Sequence, residues 1–191
     1  MIPLNVPNII TLSRIITIPF IVGIFYFPDD LISFSAKNVT ATTIFIFAAV
    51  TDWLDGYLAR KLNQMSAFGA FLDPVADKLF VVGALVVLLF LGRVDPLVAL
   101  IIIGREIAIS ALREWMAKVG QARSVAVAFI GKLKTVMQMI AIPLLLYSDW
   151  LFDMIDSQWL GTILINVAAV LTVASMLYYL RRALPYASES R

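Results

Sequence analysis

The sequence predicts an all-α protein that crosses a membrane six times, and three observations predict it. Hydrophobic residues fill 61% of the 191 positions, and the mean hydropathy is +0.92, more apolar surface than a soluble domain of this size can bury. The apolar residues fall into six stretches, about 6–27, 40–58, 67–91, 97–116, 124–147 and 159–180. Each is long enough to cross roughly 30 Å of hydrocarbon at about 1.5 Å per residue. Most charged residues collect between these stretches or at their ends, where helices meet water.

The first stretch is interrupted by Arg14 and Pro19. Cleavage as a signal peptide is disfavoured, because no basic residue precedes the stretch and Arg14 falls inside it. It therefore reads as a retained span, followed by a polar loop with Asp29, Asp30 and Lys37. The second span ends around Tyr57. The third contains Pro74 in its first turns, where a missing N–H is best tolerated. The link Gly92-Arg93-Val94-Asp95-Pro96 leads to the fourth, and the fifth and sixth follow. With no composition shift, repeat or low-complexity tract, residues 1–191 read as a single membrane domain, with a disordered tail expected after Pro185.

If the spans alternate, Arg60, Lys61, Lys78, Arg113, Lys118, Arg123, Lys132, Arg181 and Arg182 fall on one side. The other side receives only Lys37 and Arg93, with Asp29, Asp30, Asp95, Asp149, Asp153 and Asp156. The basic side is expected to be cytoplasmic, together with both termini. The net charge of +2 comes with no basic run, which speaks against nucleic-acid binding. Cysteine and histidine are absent, so disulfides and thiol chemistry are excluded, and carboxylates become the obvious metal ligands and general bases. Hard oxygen ligands suit Mg²⁺ or Mn²⁺ rather than zinc.

The candidate chemistry lies in one run of sequence. Asp52 and Asp55 are three apart, and Asp73 and Asp77 four apart, so each pair shares a helix face. Ionisable groups within apolar spans are costly and point to function. Two such pairs on adjacent helices could hold two divalent cations roughly 3.5–4 Å apart. Gly56 would admit a close backbone approach, Gly69 that or close packing between spans, and Arg60 could fork onto phosphate oxygens. The bland alternative, solvated or ion-paired acids, would win for one aspartate; four in fixed register weigh against it. An anionic co-substrate would need fixed cations nearby, for which Arg105, Arg113, Lys132 and Lys134 are candidates. Against this, Arg113 could be a positive-inside anchor, Lys134 could snorkel to the headgroups, and Arg105 could pair with Glu106, Glu114 or a motif aspartate.

The pattern Asp52-x2-Asp55-Gly56-x2-Ala59-Arg60-x8-Gly69-x3-Asp73-x3-Asp77 resembles the signature of the CDP-alcohol phosphotransferases, with every defined position filled. The resemblance implies that family's membrane fold, with Asp52, Asp55 and Asp73 as metal ligands. Asp77 would be a further ligand or the base nearest the incoming hydroxyl. It places Asn8, Thr11, Gly56, Ala59, Arg60 and Gly69 at the CDP-linked lipid. The segments Asn8-x2-Thr11-x2-Arg14, R-E-I-A-I-S-A-L-R-E-W-M-A from Arg105 and G-K-L-K-T-V-M-Q-M from Gly131 are similar to one bacterial branch of the family. That branch joins CDP-diacylglycerol to sn-glycerol 3-phosphate, releasing CMP, in phosphatidylglycerol synthesis at the cytoplasmic membrane. It also implies a homodimer, and the candidate cations Arg105, Arg113, Lys132 and Lys134 fit the phosphate of its acceptor. Three alternatives compete. A relative using inositol phosphate or serine would differ only in acceptor. A membrane prenyltransferase would lack the Gly56–Ala59–Arg60 register. A transporter with an acidic relay would spread its acids through the membrane depth.

Overall fold

Within the described residues each apolar stretch forms one long helix; the expected start of the fifth, residues 124–128, falls outside them. A computed structural model describes residues 6–61, 67–120 and 129–188. The elements are α1 (Val6–Gly23), prolonged by a 3₁₀ turn (Ile24–Tyr26), α2 (Phe34–Lys61), α3 (Ala67–Phe90), α4 (Pro96–Lys118), α5 (Phe129–Tyr147) and α6 (Ser157–Ser188). A two-stranded antiparallel hairpin, β1 (Trp150–Leu151) and β2 (Ile155–Asp156), joins the last two helices, with Trp150 opposite Asp156. Four segments, 8–26, 34–52, 129–147 and 157–186, are long and apolar enough to cross a membrane. The helices α3 and α4 are comparably long, at 24 and 23 residues. They carry Asp73, Asp77 and Lys78, and Arg105, Glu106 and Arg113, within the stretch that would cross.

The helix ends follow from their caps. Gly92, at φ +67°, closes α3 in the left-handed conformation, and the Arg93 N–H donates to the Leu88 carbonyl. The Asp95 side chain accepts from the Leu97 N–H at 2.8 Å, with Pro96 opening α4. Asp156 accepts from the Gln158 and Trp159 N–H groups and so starts α6.

Two expectations need correction. The polar loop is shorter than expected, because α2 begins at Phe34, not near Thr40. Ser33 Oγ accepts from the Ala36 N–H, and Lys37 satisfies its charge on Asp29 and the Phe27 carbonyl, so this polar turn can be helical. The described residues after Pro185, 186–188, are helical rather than a disordered tail. Helix α6 continues to Ser188, because Ala183 and Tyr186 pack with Tyr179 against Ile109 and Met116 of α4. Pro74 sits at the eighth position of α3, deeper than the first turn, and the helix runs through it; membrane helices tolerate such residues.

Helix α5 packs along α6 and against α2, α1 lies against α2 and α3, and α4 lies against α6. The core is aliphatic, with Phe45 of α2 stacked on Phe80 of α3 at 4.5 Å. Gly83 lets α1 and α3 close up, since a Cβ there would collide with Ile18. At the end of the bundle holding the hairpin, Arg93 donates to the carbonyls of Leu145 and Leu146 and to Asn38 Oδ1. It thereby ties α2 to the C-terminus of α5, although burial lowers its pKa. Large apolar residues such as Phe20, Phe47, Phe71, Leu100 and Val170 face outward. Helices apolar on all sides suit hydrocarbon rather than water.

Candidate active site

Three helices bring Asp52, Asp73 and Asp77 to one end of the bundle. Thr11 and Arg14 lie one turn apart on α1, Asp52 lies on α2, and Asp73 and Asp77 lie one turn apart on α3. Arg14, almost fully buried, places Nη1 at 2.5 Å from Asp52 Oδ1 and 2.6 Å from Asp77 Oδ1. Thr11 Oγ1 donates to Asp73 Oδ1 at 2.8 Å. Asn8, one turn before Thr11, is buried, as is Gly69 on α3. Asp55, Gly56, Ala59 and Arg60 lie on the last turns of α2, and their side-chain surroundings fall outside the described residues.

A second charged cluster faces the first. Arg105 is buried on α4, with its Nη2 at 3.3 Å from Ser175 Oγ of α6 and its Nη1 at 3.4 Å from Glu106 Oε1. Lys134 of α5 is buried and bonds the same Glu106 oxygen. Both clusters line one cavity of about 500 Å³, with Arg14, Asp52, Asp77 and Lys78 in its wall together with Arg105, Glu106, Arg113, Lys134 and Gln138. Arg105 Nε, Arg113 Nε and Gln138 Nε2 are buried without a hydrogen-bond partner among the described residues. Buried donors left unsatisfied in this way are costly and suit a ligand that accepts hydrogen bonds.

The sequence alternatives can now be separated. Arg105 pairs with Glu106, while Glu114 pairs with Lys118 one turn on, at 2.8 Å and in the open. Lys134 does not snorkel, because its ammonium is enclosed and ion-paired. Arg113 lines the cavity rather than only anchoring the helix. Lys132 is exposed on α5 and is not among the cavity residues, so the structure does not bring it to the other three. Among the described residues, no three carboxylates group closely enough to form a complete metal cage. The donor chemistry nevertheless fits a hard divalent cation, since Asp52 and Asp77 converge on a positive charge with carboxylate oxygens only.

Several residues at or behind this cavity were not singled out as site residues by the sequence. Arg14 was readable as a lone charge in apolar surroundings and Glu106 as the neighbour of Arg105, whereas Gln138, Ser175 and Tyr179 gave no such signal. Tyr179 is fully buried, with the guanidinium carbons of Arg105 and Arg113 at 5.9 and 5.5 Å from its ring centre. Desolvated cation–π contacts are worth about 2 kcal/mol. Tyr179→Leu is therefore expected to loosen both arginines, raising the KM for an anionic acceptor about tenfold or more. Tyr179→Phe keeps the ring and should hold the KM closer to wild type than Tyr179→Leu does. Equal KM values in Leu and Phe variants would show that the ring does not position the arginines.

A bundle of apolar helices around a cavity lined by both carboxylates and buried cations fits a membrane protein acting on a charged substrate. Residues 4–174 match the CDP-alcohol phosphatidyltransferase family, and the chain belongs to it. A relative from Salmonella choleraesuis (strain SC-B67) is 48% identical over 181 residues, 94% of each chain. Relatives from Shigella flexneri serotype 5b (strain 8401) and Escherichia coli (strain K12) are each 49% identical over 181 residues, again 94% of each chain. All three are named CDP-diacylglycerol–glycerol-3-phosphate 3-phosphatidyltransferase.

Proposed function

We propose that this chain transfers the phosphatidyl group of CDP-diacylglycerol to sn-glycerol 3-phosphate, giving phosphatidylglycerol phosphate and CMP. The observation that carries this reading is the 48% identity, over 94% of both chains, to a relative named for that reaction. The cavity agrees with it in chemistry, because a phosphorylated acceptor needs buried cations beside the reacting diphosphate, and Arg105, Arg113 and Lys134 supply them. With Glu106 offsetting one of the three, neutral inositol or zwitterionic serine would leave two positive charges uncompensated.

In this mechanism Arg105, Arg113 and Lys134 bind the acceptor phosphate with charge-assisted hydrogen bonds. They hold the acceptor hydroxyl toward Asp77, which lies in the wall of the same cavity. Asp77 takes the hydroxyl proton as the acceptor oxygen bonds to the phosphatidyl phosphorus. The bond from that phosphorus to the CMP oxygen breaks, and CMP leaves with the electron pair. Asn8, Thr11, Gly56, Ala59, Arg60 and Gly69 form the side of the site that receives the CDP-lipid, and Thr11 also steadies Asp73. Asp52, Asp55, Asp73 and Asp77 would hold one or two Mg²⁺ or Mn²⁺ ions, which neutralise the diphosphate and the developing charge on the leaving oxygen.

The deciding experiment is CMP release by the purified chain from CDP-diacylglycerol, with glycerol 3-phosphate, inositol phosphate, inositol and serine offered separately. Turnover only with glycerol 3-phosphate is expected. Turnover with inositol phosphate or serine in its place would reassign the acceptor, and no CMP release with any acceptor would overturn the reading.

The same proposal puts the enzyme, as a homodimer, in a bacterial cytoplasmic membrane with all six helices as spans and the cavity and both termini facing the cytoplasm. The basic residues near the helix ends support this orientation. A reporter fused after Arg182 should read cytoplasmic and one inserted near Asp153 external. The reverse pattern would separate the site from cytoplasmic glycerol 3-phosphate.

A further inference from the structure

The cationic end of the cavity contains a charge that an anion-binding site does not need. Glu106 lies among Arg105, Arg113 and Lys134 with 18% of its side chain exposed. Its Oε1 bonds Lys134 Nζ and lies 3.4 Å from Arg105 Nη1. A carboxylate desolvated to this degree is stable only while paired, and so is the ammonium that faces it. An entering phosphate must therefore take Lys134 from a partner it already has. Three cations less one carboxylate leave two positive charges, the charge that a phosphate monoester neutralises when fully ionised.

We propose that Glu106 is a tethered competitor for the acceptor phosphate: it releases Lys134 when the phosphate binds and reclaims it as the phosphorylated product leaves. This rests on the reading that the cavity takes glycerol 3-phosphate. Such a competitor weakens ground-state binding and speeds release, and so keeps the site from being held by its own product or by inorganic phosphate. The carboxylate is a specificity and release device, and takes no part in bond making.

The test uses the purified full-length chain, with inorganic phosphate as a competitive inhibitor and glycerol 3-phosphate and CDP-diacylglycerol titrated separately. Glu106→Gln should lower both the KM for glycerol 3-phosphate and the Ki of phosphate about tenfold, the low end for hydrogen bonds to charged groups at about 1.4 kcal/mol per decade. Its kcat should fall with them, because the product is held longer. Glu106→Asp withdraws the carboxylate by one methylene while keeping its charge, and should move both constants the same way by less. In a Lys134→Gln background, Glu106→Gln should have little effect. A rise in KM and Ki in Glu106→Gln would overturn the proposal, showing that Glu106 only positions Lys134. An equal change in the KM for CDP-diacylglycerol would overturn it as general disruption of the site. Phosphate inhibition that is present in the wild type and unchanged in the variants would overturn the competitor role alone. No phosphate inhibition and no dependence on glycerol 3-phosphate in the wild type would overturn the underlying acceptor assignment as well.

Discussion

Asp77→Asn is expected to lower kcat for CMP release by about 10²–10⁴-fold, the contribution typical of a positioned general base. The amide cannot take the hydroxyl proton, yet its oxygen can still accept from Arg14 Nη1, which lies 2.6 Å from Asp77 Oδ1. The helix contact should persist, and thermal stability in detergent should change little. The KM for glycerol 3-phosphate should stay close to wild type, because the phosphate is held by cations on α4 and α5. A kcat within tenfold of wild type at saturating Mg²⁺ would remove Asp77 from proton transfer. A matching loss of stability would recast it as a structural partner of Arg14.

The helical architecture was legible because lipid leaves a chain few options. Backbone groups must be satisfied within each span, so apolar stretches of the right length become helices. Boundaries were less legible where polar residues meet specific partners. Lys37 looked like a loop residue until Asp29 and the Phe27 carbonyl were found around its ammonium. The tail beyond Pro185 looked free because its anchor, the face of α4 bearing Ile109 and Met116, lies about seventy residues away in sequence.

The aspartate face of the site was legible for a related reason. Acids within apolar stretches need a use, and a spacing of four suffices to place Asp73 and Asp77 on one face of α3. The cationic face required tertiary information. Lys132 and Lys134 are two apart and so point to different sides of α5; only the second enters the cavity. Nothing local distinguishes them, and which side faces inward is set by packing against α2 and α6. Tyr179 and Ser175 were invisible for the same reason, being uncharged residues on α6 that act only through the arginines they touch.

Arg14→Gln should produce the largest change in stability, and its dependence on divalent cation is the informative part. The guanidinium, 2% exposed, stands between Asp52 and Asp77, whose side chains are 40% and 54% exposed. Removing one partner of a fully buried pair costs 3–5 kcal/mol; with the carboxylates open to the cavity, screening reduces that to about 2 kcal/mol. For a chain of this length the loss corresponds to a fall in Tm of about 4–8 °C, measured in detergent with chelator present. The two carboxylates then lose the cation that joins them. Mg²⁺ should restore much of the lost Tm in the variant and raise that of the wild type by less, because in the wild type Arg14 already neutralises the pair. Equal Mg²⁺ stabilisation of both proteins would mean that the metal and Arg14 occupy independent places. An absence of Mg²⁺ stabilisation in either would argue against Asp52 and Asp77 as metal ligands, leaving Arg14 as their permanent counter-ion.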